Sequence, residues 1–356
     1  MDYDIKIEAA KTLLIIDPGN NDSLFLLKRV IDDHLIGIDQ RLWIYIDLVK
    51  FLGELRLFEQ KEYKDLVRIN FTSFVFDVDG TVASNHIISD ETWNKLIELM
   101  RHGKNVVLCS GQSLVISPDE IRKGRSYLKK YYDELINKLK PEELENVLKY
   151  FYLAPENGAY VVSALRAWKA DFPVGDDFEI RPDLKEDKVV EQGFFSPEIQ
   201  RNLDNAYKIK FPELCGKLKV SIKPGGYTFT VKLVKPVEGI VRDEVVAFTK
   251  EYLNEHLPAE YKDQFAIKYG EDEKHLVFIP GHKDIDKGRI ASLFFKKFRG
   301  SVAGFGDQGF ANGNDNGLLK RASVGFAVQD VEGGVSQVNI PEILGKSNVA
   351  AVNSIL

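Results

Sequence analysis

The feature that most restricts this chain is a short apolar run, Phe74-Val75-Phe76, that breaks directly into Asp77-Val78-Asp79-Gly80-Thr81. An uninterrupted run of this kind predicts a parallel strand covered on both faces, with a loop at its carboxyl end. Two carboxylates spaced i, i+2 behind such a strand are costly neighbours, because like charges held close together resist joint ionisation. A divalent cation between them removes that cost. A hard cation such as Mg2+ takes oxygen ligands and leaves positions for phosphate oxygens. The plain alternative for the same residues is a strand-ending Asp-Gly turn.

The residues that follow set the fold class. Ser89-Asp90-Glu91 predicts a helix start, with an N-cap and acids in the first turn. Trp93, Leu96, Ile97 and Met100 fall at i, i+3, i+4 and i+7, and Gly103 stands where a C′ glycine belongs. A second strand, Asn105 to Cys109, ends in Ser110-Gly111. This β-α-β unit implies an α/β fold with a doubly wound parallel sheet and a site at the strand carboxyl ends.

Further along, residues 118–150 are highly charged and read as helical. Phe151-Tyr152-Leu153 leads into Glu156-Asn157-Gly158-Ala159 and the apolar Tyr160-Val161-Val162, with Asn-Gly as a tight-turn signal. From 161 to 280, strand-like pieces (Tyr227 to Val231) mix with helix-like ones (Asp243 to Asn254), which predicts a separate α/β insertion. The β-α alternation resumes at Lys287. Ile290, Leu293, Phe294 and Phe298 mark a helix face followed by Gly300, and the strand Val302 to Phe305 ends in Gly306-Asp307. A helix from Gly317 to Arg321 and a strand from Val324 to Val328 complete the pattern. The expected division is an N-terminal helical extension at 1–69, a core formed by 70–160 and 281–356, and the insertion at 161–280. The extension, apolar-rich from Ile38 to Phe58, is expected to pack on the main body or to join copies of the chain in a homo-oligomer.

Composition narrows the function. With 356 residues, 44% apolar and 29% charged, the chain reads as globular with two or three domains. Its 48 basic and 54 acidic residues give a net charge of −6, which argues against a nucleic-acid partner and leaves any anion to local devices. Two cysteines, Cys109 and Cys215, are too few for a disulfide framework or a four-cysteine zinc site, and are expected as small buried residues. The first residues lack a basic n-region and a cleavage site, and no stretch suits a membrane span, so a cytoplasmic setting is expected.

Three further clusters fall at the same end of the expected sheet. The hydroxyl of Ser110 and the nearby N–H groups could hold a phosphoryl oxygen. Lys287 follows Asp284-Ile285-Asp286 at a helix start, where its charge opposes the helix dipole and so does not serve helix stability. With that N-terminus it makes an anion site. Asp307 ends a strand and could reach the same cation as Asp77, while Asn314 and Asp315 could fix waters behind the ligands or orient Lys287.

In this ordered set the chain resembles the haloacid dehalogenase superfamily of phosphohydrolases. The match runs through 77–81, Ser110, Lys287 and Gly306-Asp307…Asn314-Asp315. The insertion looks like a C2-type cap, and Glu156-Asn157-Gly158-Ala159 is similar to the turn before such caps in the type IIB branch. The resemblance implies Asp77 as nucleophile, Asp79 as general acid and base, and Ser110 and Lys287 as groups that neutralise the transferring phosphoryl. It implies Mg2+ held by Asp77, the backbone carbonyl of Asp79, and Asp307, with Thr81, Asn314 and Asp315 in support. The implied activity is a Mg2+-dependent phosphatase acting through an aspartyl-phosphate on a small phosphorylated metabolite, a sugar phosphate before a nucleotide. Gly111, Asn157, Lys223 and Lys232 are candidate substrate contacts, and Arg166 and Lys169 are further basic candidates.

Two departures from the family pattern stand out. Gln112 follows Gly111 where the branch usually has Arg, and six residues separate Gly306-Asp307 from Asn314-Asp315 where two are usual. The longer spacing is similar to the eukaryotic phosphomannomutases, so a sugar phosphomutase is the alternative. It ranks lower because the mutase loop is not recognisable at Ser110-Gly111-Gln112-Ser113. Gly304 to Gly309 spells G-x-G-x-x-G with Asp330 downstream, the pattern of an NAD-binding oxidoreductase, yet Asn312, Gly313, Asn314, Asn316 and Gly317 oppose a helix there. A non-catalytic binding protein of the same fold is the remaining class. Gly345-Lys346-Ser347 lacks the upstream glycine of a P-loop, and the six histidines show no metal-binding spacing.

Overall fold

In the computed structural model, the strand at Phe71–Asp77 shows how the sequence builds its layers. Phe74 and Phe76 enter one apolar cluster and Val75 enters another, so the strand is buried on both faces. The neighbouring strands repeat the alternation. Val106, Leu108, Phe151 and Leu153 face the first cluster, and Val107, Cys109 and Tyr152 face the second. Each Val, Leu or Phe side chain among them, fully buried, contributes about 1.5–3 kcal/mol.

The structure describes residues 3–17, 22, 23, 26, 51, 71–114, 128–170, 185–188, 195–222, 227–233, 239–257, 259, 275–280, 284–310, 313–330 and 338–356. In chain order its elements begin with α1 (Tyr3–Ile16), β1 (Phe71–Asp77), α2 (Asp90–Arg101), β2 (Asn105–Cys109), α3 (Leu128–Lys138), α4 (Leu144–Leu148) and β3 (Phe151–Ala154). There follow β4 (Tyr160–Ser163), α5 (Ala164–Lys169), β5 (Asp187–Lys188), α6 (Pro197–Lys210), β6 (Leu218–Ile222), β7 (Thr228–Leu233), α7 (Gly239–His256) and β8 (His275–Pro280). The last are α8 (Lys287–Phe298), β9 (Ser301–Gly306), α9 (Asn316–Arg321), β10 (Val324–Ala327), β11 (Val338–Asn339), α10 (Ile340–Leu344) and α11 (Asn348–Ile355).

The fold is α/β and doubly wound. The main sheet has the order β11-β10-β9-β1-β2-β3-β4-β5, parallel from β11 to β3 and antiparallel at β4 and β5. Side chains of α1, α2, α3, α4, α5 and α11 join the first cluster; those of α8 and α9 join the second, on the opposite face. From β1 the chain runs outward through β2 and β3, and it returns on the other side of β1 as β9. That reversal makes the carboxyl end of β1 a topological switch point, where sheets of this type place ligands.

A second, antiparallel sheet, β6-β7-β8, has its own apolar cluster, which includes Phe195, Leu203, Tyr207, Val220, Val231, Val245 and Leu253. The expected boundary between 160 and 161 runs through β4. Tyr160 and Val162 face one main-sheet core and Val161 the other, so this strand belongs to the main sheet, as does β5.

Local signals act as their chemistry dictates. The Ser89 hydroxyl accepts from Thr92 N–H and caps α2, and Gly103 takes φ +76° behind it. At the end of α8, by contrast, Arg299 rather than Gly300 adopts the left-handed conformation, at φ 48°. Gly300 is required instead because a Cβ there would collide with Thr72. In the extension, Ala10 and Leu14 of α1 join the main-body cluster, and Leu13, Ile15 and Ile16 are exposed. The rest of the apolar-rich run, Phe51 apart, lies outside the described residues. Among the described residues no helix is long and apolar enough to cross a membrane.

Candidate active site

Strand register brings the site together. Asp77 pairs with Cys109, which places Ser110 at the next position across the sheet, and Phe76 pairs with Phe305, two residues before Asp307. Asp286 caps α8 by accepting from Gly288 N–H at 2.6 Å, and this start of the helix delivers Lys287. A Cβ at Gly288 would strike the Gly317 carbonyl, so glycine lets α8 approach α9 and brings Lys287 against Asp315. The buried Lys287 ammonium donates to Asp77 Oδ1 at 2.5 Å and to Asp315 Oδ1 at 2.6 Å. Asp315 Oδ2 accepts from the N–H groups of Asp307 and Gln308, each at 3.0 Å.

Asp77, Asp307 and Asp315 offer carboxylate oxygens that all lie within 4.8 Å of one another. All three residues are buried, and Asp307 Oδ1 has no hydrogen-bond partner. Burial, reinforced by Asp315, pushes the Asp77 carboxyl up to about 7. Burial and then Asp77 push Asp307 up to about 10. Burial alone would also raise Asp315, but Lys287 and hydrogen bonds from its neighbours hold it below the usual carboxylate range. Lys287 keeps its charge against burial because Asp315 and Asp77 flank it. Three carboxylates facing one ammonium leave two negative charges when fully ionised. A hard divalent cation fits that donor set, that charge and the orphaned Asp307 oxygen.

The loop after β1 turns sharply. Val78 O accepts from Thr81, Val82 and Ala83 N–H, and Gly80 takes φ +84°. A Cβ at Gly80 would overlap the Asp307 carboxylate, so glycine is needed there for both conformation and space. Asp79 stands outside the three-acid group, with a partly exposed side chain. Its Oδ1 lies 2.7 Å from His86 Nδ1 and its Oδ2 accepts from Gln112 Nε2 at 2.5 Å. Ser110 Oγ accepts from Gln112 N–H at 3.1 Å, which leaves the hydroxyl hydrogen available to a ligand.

Glu156, Asn157 and Gly158 all adopt left-handed backbone conformations. Asn157 N–H donates to Ser110 O at 2.8 Å, and the buried Asn157 side-chain amide has no partner on either polar atom. The Glu156 carboxylate is fully buried and accepts from Ser113 Oγ, Tyr227 N–H and Thr228 N–H. It thereby ties the loop after β2 to the start of β7, the central strand of the second sheet.

Of the residues singled out in the sequence, Asp77, Asp307 and Lys287 converge directly, with Ser110 at the next strand end. Asp315, expected to stand behind the ligands, sits inside the carboxylate group itself. Thr81 is buried with Oγ1 3.5 Å from Asp77 Oδ2, and Asn314 is buried with a partnerless Oδ1. Gly111 lies in the loop between Ser110 and Gln112. Lys223 lies outside the described residues, and Lys232 occupies β7 opposite Lys219 and His275. Arg166 and Lys169 are on α5 beside the main sheet, exposed, and Lys169 pairs with Glu145. Cys109 is buried, where burial pushes its thiol up, but Cys215 is exposed because it falls on the turn after Pro212–Leu214. The glycines of the G-x-G-x-x-G run serve packing. Side chains at Gly304 and Gly306 would collide with Ala322 and Asp315, and the next helix starts only at Asn316.

His86, Gln112 and Glu156 as a link between the sheets were missed. Gln112 carried a signal, as the residue standing where Arg is usual; Asn85-His86 carried the weaker one of a turn.

No protein-family model matches the chain, and no curated protein matches it. Among solved structures it is similar to N-terminally truncated, IMP-bound IMP-nucleotidase of Plasmodium falciparum, with TM-score 0.48 and 12% identity over 99% of this chain and 95% of that one. It is similar to the sucrose-phosphatase of Synechocystis in complex with sucrose and phosphate, with TM-score 0.44 and 15% identity over 80% and 96% of the two chains. A haloacid dehalogenase-like hydrolase of Bacteroides thetaiotaomicron gives TM-score 0.39 and 12% identity over 72% and 88%.

Proposed function

We propose that this chain is a Mg2+-dependent phosphomonoesterase of the haloacid dehalogenase type, acting on a small phosphorylated metabolite through an aspartyl-phosphate. The observation that carries the proposal is the buried group of Asp77, Asp307 and Asp315 around Lys287 at the carboxyl end of the central strand. Sugar phosphates rank before nucleotides as the substrate class. The second sheet, β6-β7-β8, with its helices serves as a cap over the core built on the main sheet, which takes in β4 and β5, and closure of such a cap excludes water and macromolecules.

In the first step an Asp77 carboxylate oxygen attacks phosphorus. The bond from phosphorus to the ester oxygen breaks, and Asp79 gives its proton to that oxygen as the alcohol leaves. In the second step water attacks the phosphorus of the aspartyl-phosphate, and Asp79 takes a proton from it. The bond from phosphorus to the Asp77 oxygen breaks, which releases phosphate and restores both side chains. Splitting the reaction in this way replaces one difficult displacement by two easier ones.

Lys287 and the Ser110 hydroxyl face the charge of the transferring group, whose loose transition state needs alignment and charge compensation above all. Asp77, Asp307 and the backbone carbonyl of Asp79 would hold Mg2+, with Asp315, Asn314 and Thr81 in support. When bound, the ion supplies positive charge to the non-bridging phosphate oxygens.

A phosphate-release screen over phosphorylated metabolites, with and without Mg2+ and with Asp77→Asn as control, tests the proposal. Mg2+-dependent release that Asp77→Asn abolishes is expected. Equal release by wild type and variant removes Asp77 from the mechanism. A product that is an isomer, formed only with a bisphosphorylated sugar activator, replaces hydrolysis by the mutase reaction.

A further inference from the structure

We propose that His86 and Gln112 are positioning residues for Asp79, gripping one carboxylate oxygen each from two separate loops and fixing how the acid meets the leaving group. The inference rests on Asp79 as the general acid and base of the reaction described above. It goes beyond that reading by assigning the residues that aim it.

The geometry is two-sided. His86 Nδ1 reaches Asp79 Oδ1 at 2.7 Å and Gln112 Nε2 reaches Oδ2 at 2.5 Å. An ionised carboxylate only accepts hydrogen bonds, so both partners must donate. That requirement sets the His86 tautomer with hydrogen on Nδ1 and the Gln112 amide with its nitrogen toward Asp79. Gln112 Oε1 is then buried with no partner. Each carboxylate oxygen has two acceptor positions, so an oxygen braced on one side keeps another for the proton it must carry.

Both donors are themselves held. His86 sits in a two-residue hairpin closed by paired Ser84–Ile87 backbone bonds of 3.0 Å, with φ 49° at Asn85 and 61° at His86. A histidine in the left-handed region is uncommon, and here the turn that requires it also turns the ring toward Asp79. Lys130 Nζ donates to the His86 carbonyl at 3.4 Å. Gln112 is clamped through its backbone, donating to Ser110 Oγ at 3.1 Å and accepting from Glu156 N–H at 2.9 Å. The Gln112 half of the Asp79 grip is therefore built on the same loop that carries Ser110, which couples the acid to the phosphate-facing hydroxyl.

A purely structural role fits poorly. The Asp79 and His86 side chains are 39% and 52% exposed. Exposed pairs contribute little to stability, whereas misplacing a reacting group by about 1 Å can cost about 10²-fold in rate. Catalysis is therefore the quantity the two donors should move.

The test uses single-turnover alcohol release from benzyl phosphate and 4-nitrophenyl phosphate with Mg2+. A reactive nitrophenolate leaves without an acid and a benzyl alkoxide does not. His86→Ala and Gln112→Leu are expected to slow benzyl phosphate by about 10- to 100-fold and 4-nitrophenyl phosphate by less than about threefold. KM and melting temperature should hold nearly constant. His86→Asn, which keeps a donor near the Nδ1 position and tolerates the left-handed backbone, should recover most of the rate. Wild-type turnover with variants that slow both esters equally, or neither, overturns the positioning role and leaves the phosphatase reading standing. A wild type that releases phosphate from none of these esters and from no metabolite in the screen overturns both.

Discussion

Lys287 Nζ lies 2.5 Å from Asp77 Oδ1, although 210 residues of chain separate the two. The same ammonium reaches Asp315 at 2.6 Å, so one buried cation answers a group of three buried carboxylates. Removing one partner from such a group leaves uncompensated buried charge.

Lys287→Met should therefore destabilise the metal-free chain by about 3–5 kcal/mol. Urea denaturation in the presence of a chelator reads that loss. Restoring stability by adding Asp315→Asn to the methionine variant would tie the effect to the unpaired acids. A Lys287→Met chain as stable as wild type contradicts the pairing.

The raised carboxyls predict a pH dependence with a definite sign. Burial, then Asp315, lifts Asp77 to about 7, and burial, then Asp77, lifts Asp307 to about 10. Both groups titrate near 3.8 when ordinary, so above that value the folded chain retains protons that the unfolded chain gives up. Their contribution is fully present below about pH 4 and is lost as pH rises through about 7 and onward to about 10. Metal-free protein should melt lower at about pH 9 than at about pH 6, and saturating Mg2+ should reduce the difference. Mg2+ affinity should rise across the same window, because binding expels protons. A metal-free melting temperature that climbs between those pH values contradicts the assignment.

Gly80→Ala should damage the site without replacing any proposed metal ligand. Its φ of +84° strains any side chain, and a Cβ would press into the Asp307 carboxylate. A stability cost of about 1–3 kcal/mol is expected, with weaker Mg2+ binding measured by calorimetry. Unchanged metal affinity would show that Asp307 does not depend on the close approach.

Glu156→Ala tests the link between the two sheets. The change strips acceptors from Tyr227 N–H, Thr228 N–H and Ser113 Oγ, all at buried positions. Each buried group left unpaired costs about 1–3 kcal/mol, so a loss of at least about 2 kcal/mol is expected by urea denaturation. A near-neutral result would mean that the second sheet is held to the core by other contacts.

Several parts of this molecule are legible because their cause is local. Ser89 precedes an apolar period of three and four, and it caps the helix it announces. Phe74 to Phe76 is apolar at every position because the strand meets a core on each side. Other features depend on neighbours that no local pattern reveals. Gly300 looks like a helix terminator, yet Arg299 makes the left-handed turn and Gly300 yields space to Thr72. Gly304 and Gly306 spell a nucleotide-binding motif, yet their missing side chains make room for Ala322 and Asp315.

By itself the sequence determined the alternation of strands and helices, the caps, and which acids, serine and lysine stand at strand and helix ends. These depend on residues within one turn or one strand pair of each other, where side-chain periodicity and backbone preference act. Only the tertiary structure decided that Asp315 joins Asp77 and Asp307, that Gln112 and His86 grip Asp79, and that Glu156 fastens the second sheet. The order of strands around β1 and the close approach of α8 to α9 create the Asp315 and Gln112 contacts. The Ser84–Ile87 turn brings His86 back to Asp79, and the packing of the second sheet on the core brings Glu156 to β7. Which charges meet is a property of distance in space, and sequence separation does not encode it.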